Sequence, residues 1–357
     1  MIGQRLKLAR ASAGFSLREL ADKIGNLVSA QALGKYERDE MVPGSKVLLT
    51  LADALGVTED YLVGQSNITL EAVEFRKNRI TRKREEAQIE AAVISHLERY
   101  LEVESILQVS SLEWDEPREA PFPVVKDLVE ADLAAQSLRD HWNLGNDPVY
   151  KLAEFLEERG IKVLALELPD SVSGLTCFVR RQKGGRVPVI VINSSDKGER
   201  QRFTLAHELG HMVLEVADGI DEEKASHRFA GAFLMPAELL RAEIGKHRHS
   251  LSLGELFALK RILAVSVQAL TYRCKDLGII ERSVYVNLFE VFNERGWRKP
   301  PYDEPFPVPS EQPQRFRRLC FRALAEGAIS EGKVAELLGL TVHRLNQEME
   351  EPVAAGE

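Results

Sequence analysis

Cysteine is scarce. Cys177, Cys274 and Cys320 are the only three in 357 residues, and no two share a paired spacing. That excludes a disulfide framework or a cysteine-based zinc knot and fits small buried apolar residues in a reducing compartment. Nothing near 18 consecutive apolar residues occurs, and Met1-Ile2-Gly3-Gln4-Arg5 carries no apolar secretion region, so neither a membrane span nor a signal peptide is expected. Excess positive charge is also lacking. A net charge of −8 argues against non-specific nucleic-acid binding by the molecule as a whole, though not against a local DNA-reading surface. Hydrophobic residues, at 44%, suffice for packed cores, and the length implies two or more domains. A cytoplasmic, multidomain protein is expected.

Histidine is sparse too, eight in all, yet two stand four residues apart in His207-Glu208-Leu209-Gly210-His211. On a helix, residues i and i+4 lie one above the other, so both imidazoles can grip one divalent ion without bending the backbone. Glu208 reaches the edge of the same site, where it can take a proton from water; this is the pattern of a zinc peptidase. Phe203, Leu205, Ala206, Leu209, Gly210, Met212, Val213 and Leu214 make the helix apolar on most sides and predict its burial. Buried imidazoles need partners, and one cation serves both. The long pattern with a third histidine six residues on is absent, Leu214 and Ala217 standing in its place. The third ligand is therefore expected from the following segment, 221–230, whose acidic start suits a helix N-terminus. Glu223 is the expected ligand, with Asp221, Glu222 and His227 as alternatives. His227 shares a helical face with Glu223 and is expected to support a ligand or to donate to an oxyanion.

Arg202-Phe203-Thr204-Leu205-Ala206-His207-Glu208-Leu209-Gly210-His211, then Glu223-x-x-x-His227-Arg228-Phe229-Ala230 and Phe233-Leu234-Met235-Pro236, resemble the ImmA/IrrE metallopeptidases. The resemblance implies an intracellular zinc endopeptidase that cleaves a transcriptional repressor. It implies His207, His211 and Glu223 as ligands and Glu208 as general base; at the position of His227 that family often has Asn or Asp. After a Gly184-Gly185 turn, Val187-Pro188-Val189-Ile190-Val191-Ile192-Asn193 reads either as a core strand or as an edge strand that pairs with an extended substrate.

Residues 1–66 predict five helices. Ser16 with Glu19 forms a capping box, Ser29 caps a short third helix, and Gly25 breaks the chain between them. The stretch from Ser16-Leu17-Arg18-Glu19-Leu20-Ala21 through Val28-Ser29-Ala30-Gln31 to Lys35-Tyr36-Glu37-Arg38, with Leu51-Ala52-x-Ala54-Leu55-Gly56-Val57, closely resembles the Cro/C1-type (XRE) helix-turn-helix domain. The Gly25 to Ser29 turn is about two residues longer than that family's norm. The resemblance implies that Gln31 reads a base edge beside Ser29 and Ala30, and that Arg18, Lys35 and Arg38 contact phosphates. Residues 1–46 hold eight basic and five acidic side chains, a net of +3.

A basic run (Arg76, Lys77, Arg79, Arg82, Lys83, Arg84) and an amphipathic helix with Ile89, Val93, Leu97 and Tyr100 follow; the helix could pair two subunits. The expected fold is mainly α and multidomain. It comprises a helix-turn-helix domain over 1–66, a basic and helical connector over 67–123, and an α+β zincin-like metallopeptidase domain with a small mixed sheet over 124–245. A helix-turn-helix-like module over 246–290 and a helical module of unassigned role over 291–357 complete it. The expected function is a DNA-binding regulator carrying a zinc endopeptidase. Its cofactor is Zn2+, and its partners are double-stranded DNA and a repressor- or toxin-type protein substrate, with no membrane; a homodimer fits paired half-sites. The competing reading is a repressor or antitoxin-type regulator whose peptidase fold senses metal or a partner without cutting. The intact Glu208 weakens it, because ligands alone would serve binding.

Overall fold

The computed structural model describes residues 2–64, 68–77, 83–109, 114, 124–181 and 186–350. The Gly184-Gly185 turn and Arg79 and Arg82 of the basic run lie outside the described residues. Five helices, α1 (Ile2–Ser12), α2 (Leu17–Lys23), α3 (Ala30–Glu37), α4 (Ser45–Leu55) and α5 (Glu59–Val63), enclose Leu6, Leu20, Leu33, Tyr36, Leu51 and Leu62. The capping box forms as expected: Ser16 Oγ accepts the Glu19 N–H, and the Ser16 N–H donates to the Glu19 carboxylate. The long turn into α3 is accommodated by consecutive left-handed residues, Gly25 and Asn26, with φ of 66° and 56°.

The segment expected to be a plain connector instead begins with a strand, β1 (Ile68–Lys77), followed by α6 (Lys83–Ile106). The signal for β1 was present in the sequence. Apolar residues alternate at 68, 70 and 72, then shift phase to 73 and 75, and the ladder slips its register between Glu71 and Glu74. After α7 (Glu130–His141) and α8 (Leu152–Glu158) come β2 (Lys162–Leu166), β3 (Val172–Arg181) and β4 (Arg186–Asn193). The sheet runs β1-β3-β4-β2, with β2 parallel to β4 and the other pairs antiparallel. This decides between the two readings of 187–193: β4 is an inner core strand, and the edge-strand alternative falls. Its Ile190 and Ile192 face one core while Val189 and Val191 face another, and burial on both faces explains an unbroken apolar run. Pro188 is tolerated because β2 first pairs one residue later, Lys162 with Val189.

The first core lies under α9 (Gly198–Val213), α10 (Glu222–Leu234), α11 (Ala237–Ile244), α12 (Leu253–Leu263), α13 (Val267–Asp276) and α14 (Arg282–Glu294). The second is closed by α6 together with α15 (Arg315–Ala325), α16 (Glu331–Leu338) and α17 (Val342–Glu350). Ile89, Val93, Leu97 and Tyr100 of α6 are buried there with Phe316, Leu319, Val334 and Leu337, so the stripe read as a candidate for pairing subunits is used within one chain. Residues 304–311 cross the start of α9, where buried Glu311 accepts from Arg202 at 2.6 Å and buried Glu304 from Lys260 at 3.1 Å. All three cysteines are buried, and burial pushes each thiol up to about 12. No helix among the described residues is long and apolar enough to cross a membrane.

Glu157, buried at the end of α8, holds the C-terminal helices in place: its carboxylate accepts the N–H groups of Gln314 (2.9 Å) and Arg315 (3.0 Å) at the start of α15. Burial nevertheless pushes this carboxyl from 4.5 up to about 7. The folded protein thus keeps a proton that the unfolded chain releases. The contribution is fully present below the unfolded value and is lost as pH rises through about 7. Melting curves from about pH 4.5 to 7.5 should therefore show a falling midpoint that Glu157→Gln flattens. Equal slopes for both proteins would contradict this assignment.

Candidate metal centre

α9 carries the His-Glu-x-x-His sequence on its inner face, and His207 and Glu208 are each only 1% exposed. The helix packs on β3 and β4 on one side and on α10 on the other. The approach of α9 to α10 depends on Gly210: a Cβ there would lie 3.2 Å from both Phe229 Cδ1 and Ser226 Cα. This close crossing brings the first turn of α10 over the two histidines.

Asp221 caps α10, accepting from the side chain of Lys224 at 2.8 Å and from its N–H at 3.1 Å; the lysine contact holds its carboxyl below the usual range. Glu222 Oε1 lies 3.3 Å from His211 Nδ1, on the ring nitrogen away from His207. Glu223 converges on both rings. Its Oε2 is 3.3 Å from His207 Nε2, its Oε1 is 3.5 Å from His211 Nε2, and the two Nε2 atoms are 3.1 Å apart. Two corners of a zinc tetrahedron with bonds of about 2.0–2.1 Å lie about 3.3–3.4 Å apart. One ligand atom from each of the three residues lies within 4.8 Å of the others, close enough to converge on one cation, and two imidazoles with a carboxylate are a donor set that suits zinc. Among the described residues, His207, His211 and Glu223 are the group so disposed. The Glu223 side chain is 65% exposed against 2% for His207, so the site is walled on one flank and open on the other.

The ring of His227 sits 6.3 Å from that of His207 and 4.7 Å from that of Phe203, beside the ligands and not among them. Sequence reasoning missed Thr176 on β3, whose Oγ1 donates to Glu208 Oε2 at 2.7 Å and fixes the carboxylate. Gly174, two residues earlier, permits that contact, because a Cβ there would fall 2.5 Å from Thr204 Cγ2. A glycine inside a strand was the available signal, since it marks close approach by a neighbour. β3 has partners on both edges, β1 and β4.

At the other end of the chain, Arg18 of α2 and Ser29, Gln31, Lys35 and Arg38 are exposed, and Ala30 is half-buried. Gln31, Lys35 and Arg38 share one outward face of α3 and its C-cap, opposite buried Leu33 and Tyr36. Arg38 donates to the neighbouring Glu40 carboxylate through two nitrogens, at 2.6 and 3.0 Å.

Two family models match the chain: Helix-turn-helix over residues 6–62 and Peptidase M78, the IrrE N-terminal-like domain, over 156–275. The second match spans β2 to α13 and includes every proposed ligand. A "SPbeta prophage-derived uncharacterized HTH-type transcriptional regulator YonR" of Bacillus subtilis (strain 168) is 41% identical over 63 residues, 18% of this chain and 56% of that protein. An "HTH-type transcriptional regulator ImmR" of the same strain is 37% identical over 68 residues, 19% of this chain and 52% of that protein. The chain thus spans about half the length of each of these relatives. No solved structure matches it.

Proposed function

From a chain that joins an XRE-type helix-turn-helix domain to an IrrE N-terminal-like domain, we propose a DNA-bound transcriptional regulator that carries a zinc endopeptidase. The observation that carries the enzymatic half is the convergence of His207 Nε2, His211 Nε2 and the Glu223 carboxylate, whose two oxygens lie 3.3 and 3.5 Å from one ring each, next to a buried glutamate. When bound, zinc supplies a Lewis acid that acidifies water and polarises a peptide carbonyl. Glu208 accepts the proton from water and passes it to the leaving amine, with Thr176 keeping its carboxylate in one orientation. Glu222 orients His211 from the ring's far side, and His227 stands where it can donate to the developing oxyanion. The protein substrate is a repressor- or toxin-type partner, and the setting is the cytoplasm, consistent with three buried free thiols.

The DNA half rests on the outward face of α3. Gln31 and Ser29, with Ala30, read base edges; Lys35, Arg38 and Arg18 take phosphates, Arg38 exchanging its Glu40 partner for one. Two copies on paired half-sites are the natural assembly for such a reader.

A gel shift on the DNA flanking its own gene, run beside a digest of proteins encoded nearby, tests both halves. Gln31→Ala with Lys35→Ala should weaken specific binding by about tenfold or more without touching proteolysis. Glu208→Gln should abolish proteolysis while keeping DNA binding. Unchanged shifts, or cleavage that survives Glu208→Gln, would each overturn the corresponding half. A regulator whose peptidase fold only senses would shift DNA and cut nothing.

A further inference from the structure

The strand that holds the proposed base is covered on its outer side by a strand from the connector. β3 turns Gly174 and Thr176 toward α9: a Cβ at Gly174 would lie 3.6 Å from Glu208 Oε1, and Thr176 Oγ1 donates to Glu208 Oε2 at 2.7 Å. β4 takes one edge of β3 and β1 takes the other. The register sets Glu74 opposite Thr176 and Arg76 opposite Gly174. Facing residues of an antiparallel pair have Cα atoms about 4.5–5.5 Å apart. The β1 backbone therefore runs one strand spacing from the residue that orients Glu208. An extended polypeptide is generally held by main-chain pairing with a sheet edge, and the edge of β3 away from β4 is the one beside Glu208. β1 and such a polypeptide cannot both occupy it.

We propose that β1 is an internal occupant of the substrate track, so that a protein must lift it from β3 before it can be cut. The inference rests on the metallopeptidase reading and adds to it a resting state closed by the chain itself. The ladder is built to open. Its register slips between Glu71 and Glu74, where Ala72 and Val73 together face Cys177, and a bulge of this kind leaves one residue outside the ladder. Yet β1 is tethered on both sides. Four residues separate it from Val63 at the end of α5, and α6 follows it. On α6 packs α1 of the helix-turn-helix domain, with Arg5 paired to Glu98. A tethered strand competes at an effective concentration that a free partner seldom reaches. The segment that shields the base is thus the one that joins the DNA reader to the peptidase domain.

The test uses the zinc-loaded full chain and two metal-directed probes, acetohydroxamate and a tetra-alanine hydroxamate. Adjacent β1 residues alternate between pairs that exchange hydrogen bonds with β3 and pairs whose N–H points outward. Of Glu74→Pro and Phe75→Pro, one therefore breaks the ladder and the other is tolerated on an edge strand. The ladder-breaking variant should bind the peptide hydroxamate at least about tenfold tighter than the unaltered protein. Its affinity for acetohydroxamate and its zinc content should stay the same, and the other variant should match the unaltered protein throughout. In the unaltered protein, hydrogen exchange should show the β1 amides losing protection when the peptide hydroxamate binds. Equal affinity for that probe in all three proteins, or β1 amides that stay protected in the complex, would overturn the internal occupant and leave the metallopeptidase reading standing. A chain that takes up no zinc and binds neither probe would overturn that reading, and the occupant with it.

Discussion

Replacing His211 with alanine is expected to lower zinc affinity by more than about 100-fold, because even residues that merely orient a ligand are worth about 10–100-fold. His207→Ala should do the same, and Glu223→Gln should weaken binding less, since a carboxamide oxygen remains in place. Glu222→Gln, which touches only the Nδ1 side of His211, belongs in the lower part of that range. Glu208→Gln should keep its metal, because the carboxylate is held by Thr176 and is not among the converging atoms. Metal content after dialysis against a competing chelator separates these cases. Loss of zinc from Glu208→Gln with retention in His211→Ala would reverse the assigned roles.

Asp132→Ala is expected to destabilise the protein by about 3 kcal/mol, the lower end for breaking a buried ionic pair, because Arg273 is buried while Asp132 and Arg228 are only partly so. The α7 carboxylate receives Arg228 of α10 through two nitrogens, both at 2.8 Å, and Arg273 of α13 at 2.7 Å. The Arg273 side chain is 3% exposed, so its guanidinium cannot turn to water when the partner goes. The same carboxylate ties α7 to α10, which carries Glu223, and to α13, so zinc affinity should fall along with stability. Chemical denaturation gives the first quantity and metal titration the second. A loss below about 1 kcal/mol, typical of a surface substitution, would show that the cluster carries no such weight.

Local rules were legible in the sequence where one residue determines one contact. Ser16 with Glu19 and Ser29 sit at the caps where short-range hydrogen bonding places them, and the i, i+4 histidines share their helical face. Glu223 could be singled out from Asp221 and Glu222 only as an expectation, because α10 rotates past the histidines at an angle fixed by Gly210. Contacts between distant segments were beyond sequence reading. Thr176 meets Glu208 across 32 residues, and Asp132 meets Arg273 across 141. The strand β1 hid behind a basic run and a phase shift in its alternation, and the choice between core and edge for β4 stayed open because an inner strand buried on both faces and an apolar edge strand look alike in one dimension. The C-terminal helices showed amphipathic stripes, but nothing local says that a stripe at 316–345 closes over a helix at 89–103.

X-ray absorption at the zinc edge of the purified full-length protein tests the central claim most directly. One zinc per chain, with two imidazole nitrogens and a carboxylate oxygen at about 2.0–2.1 Å, is the predicted result. A shell containing sulfur, a shell of oxygen alone, or a chain that takes up no zinc would contradict it.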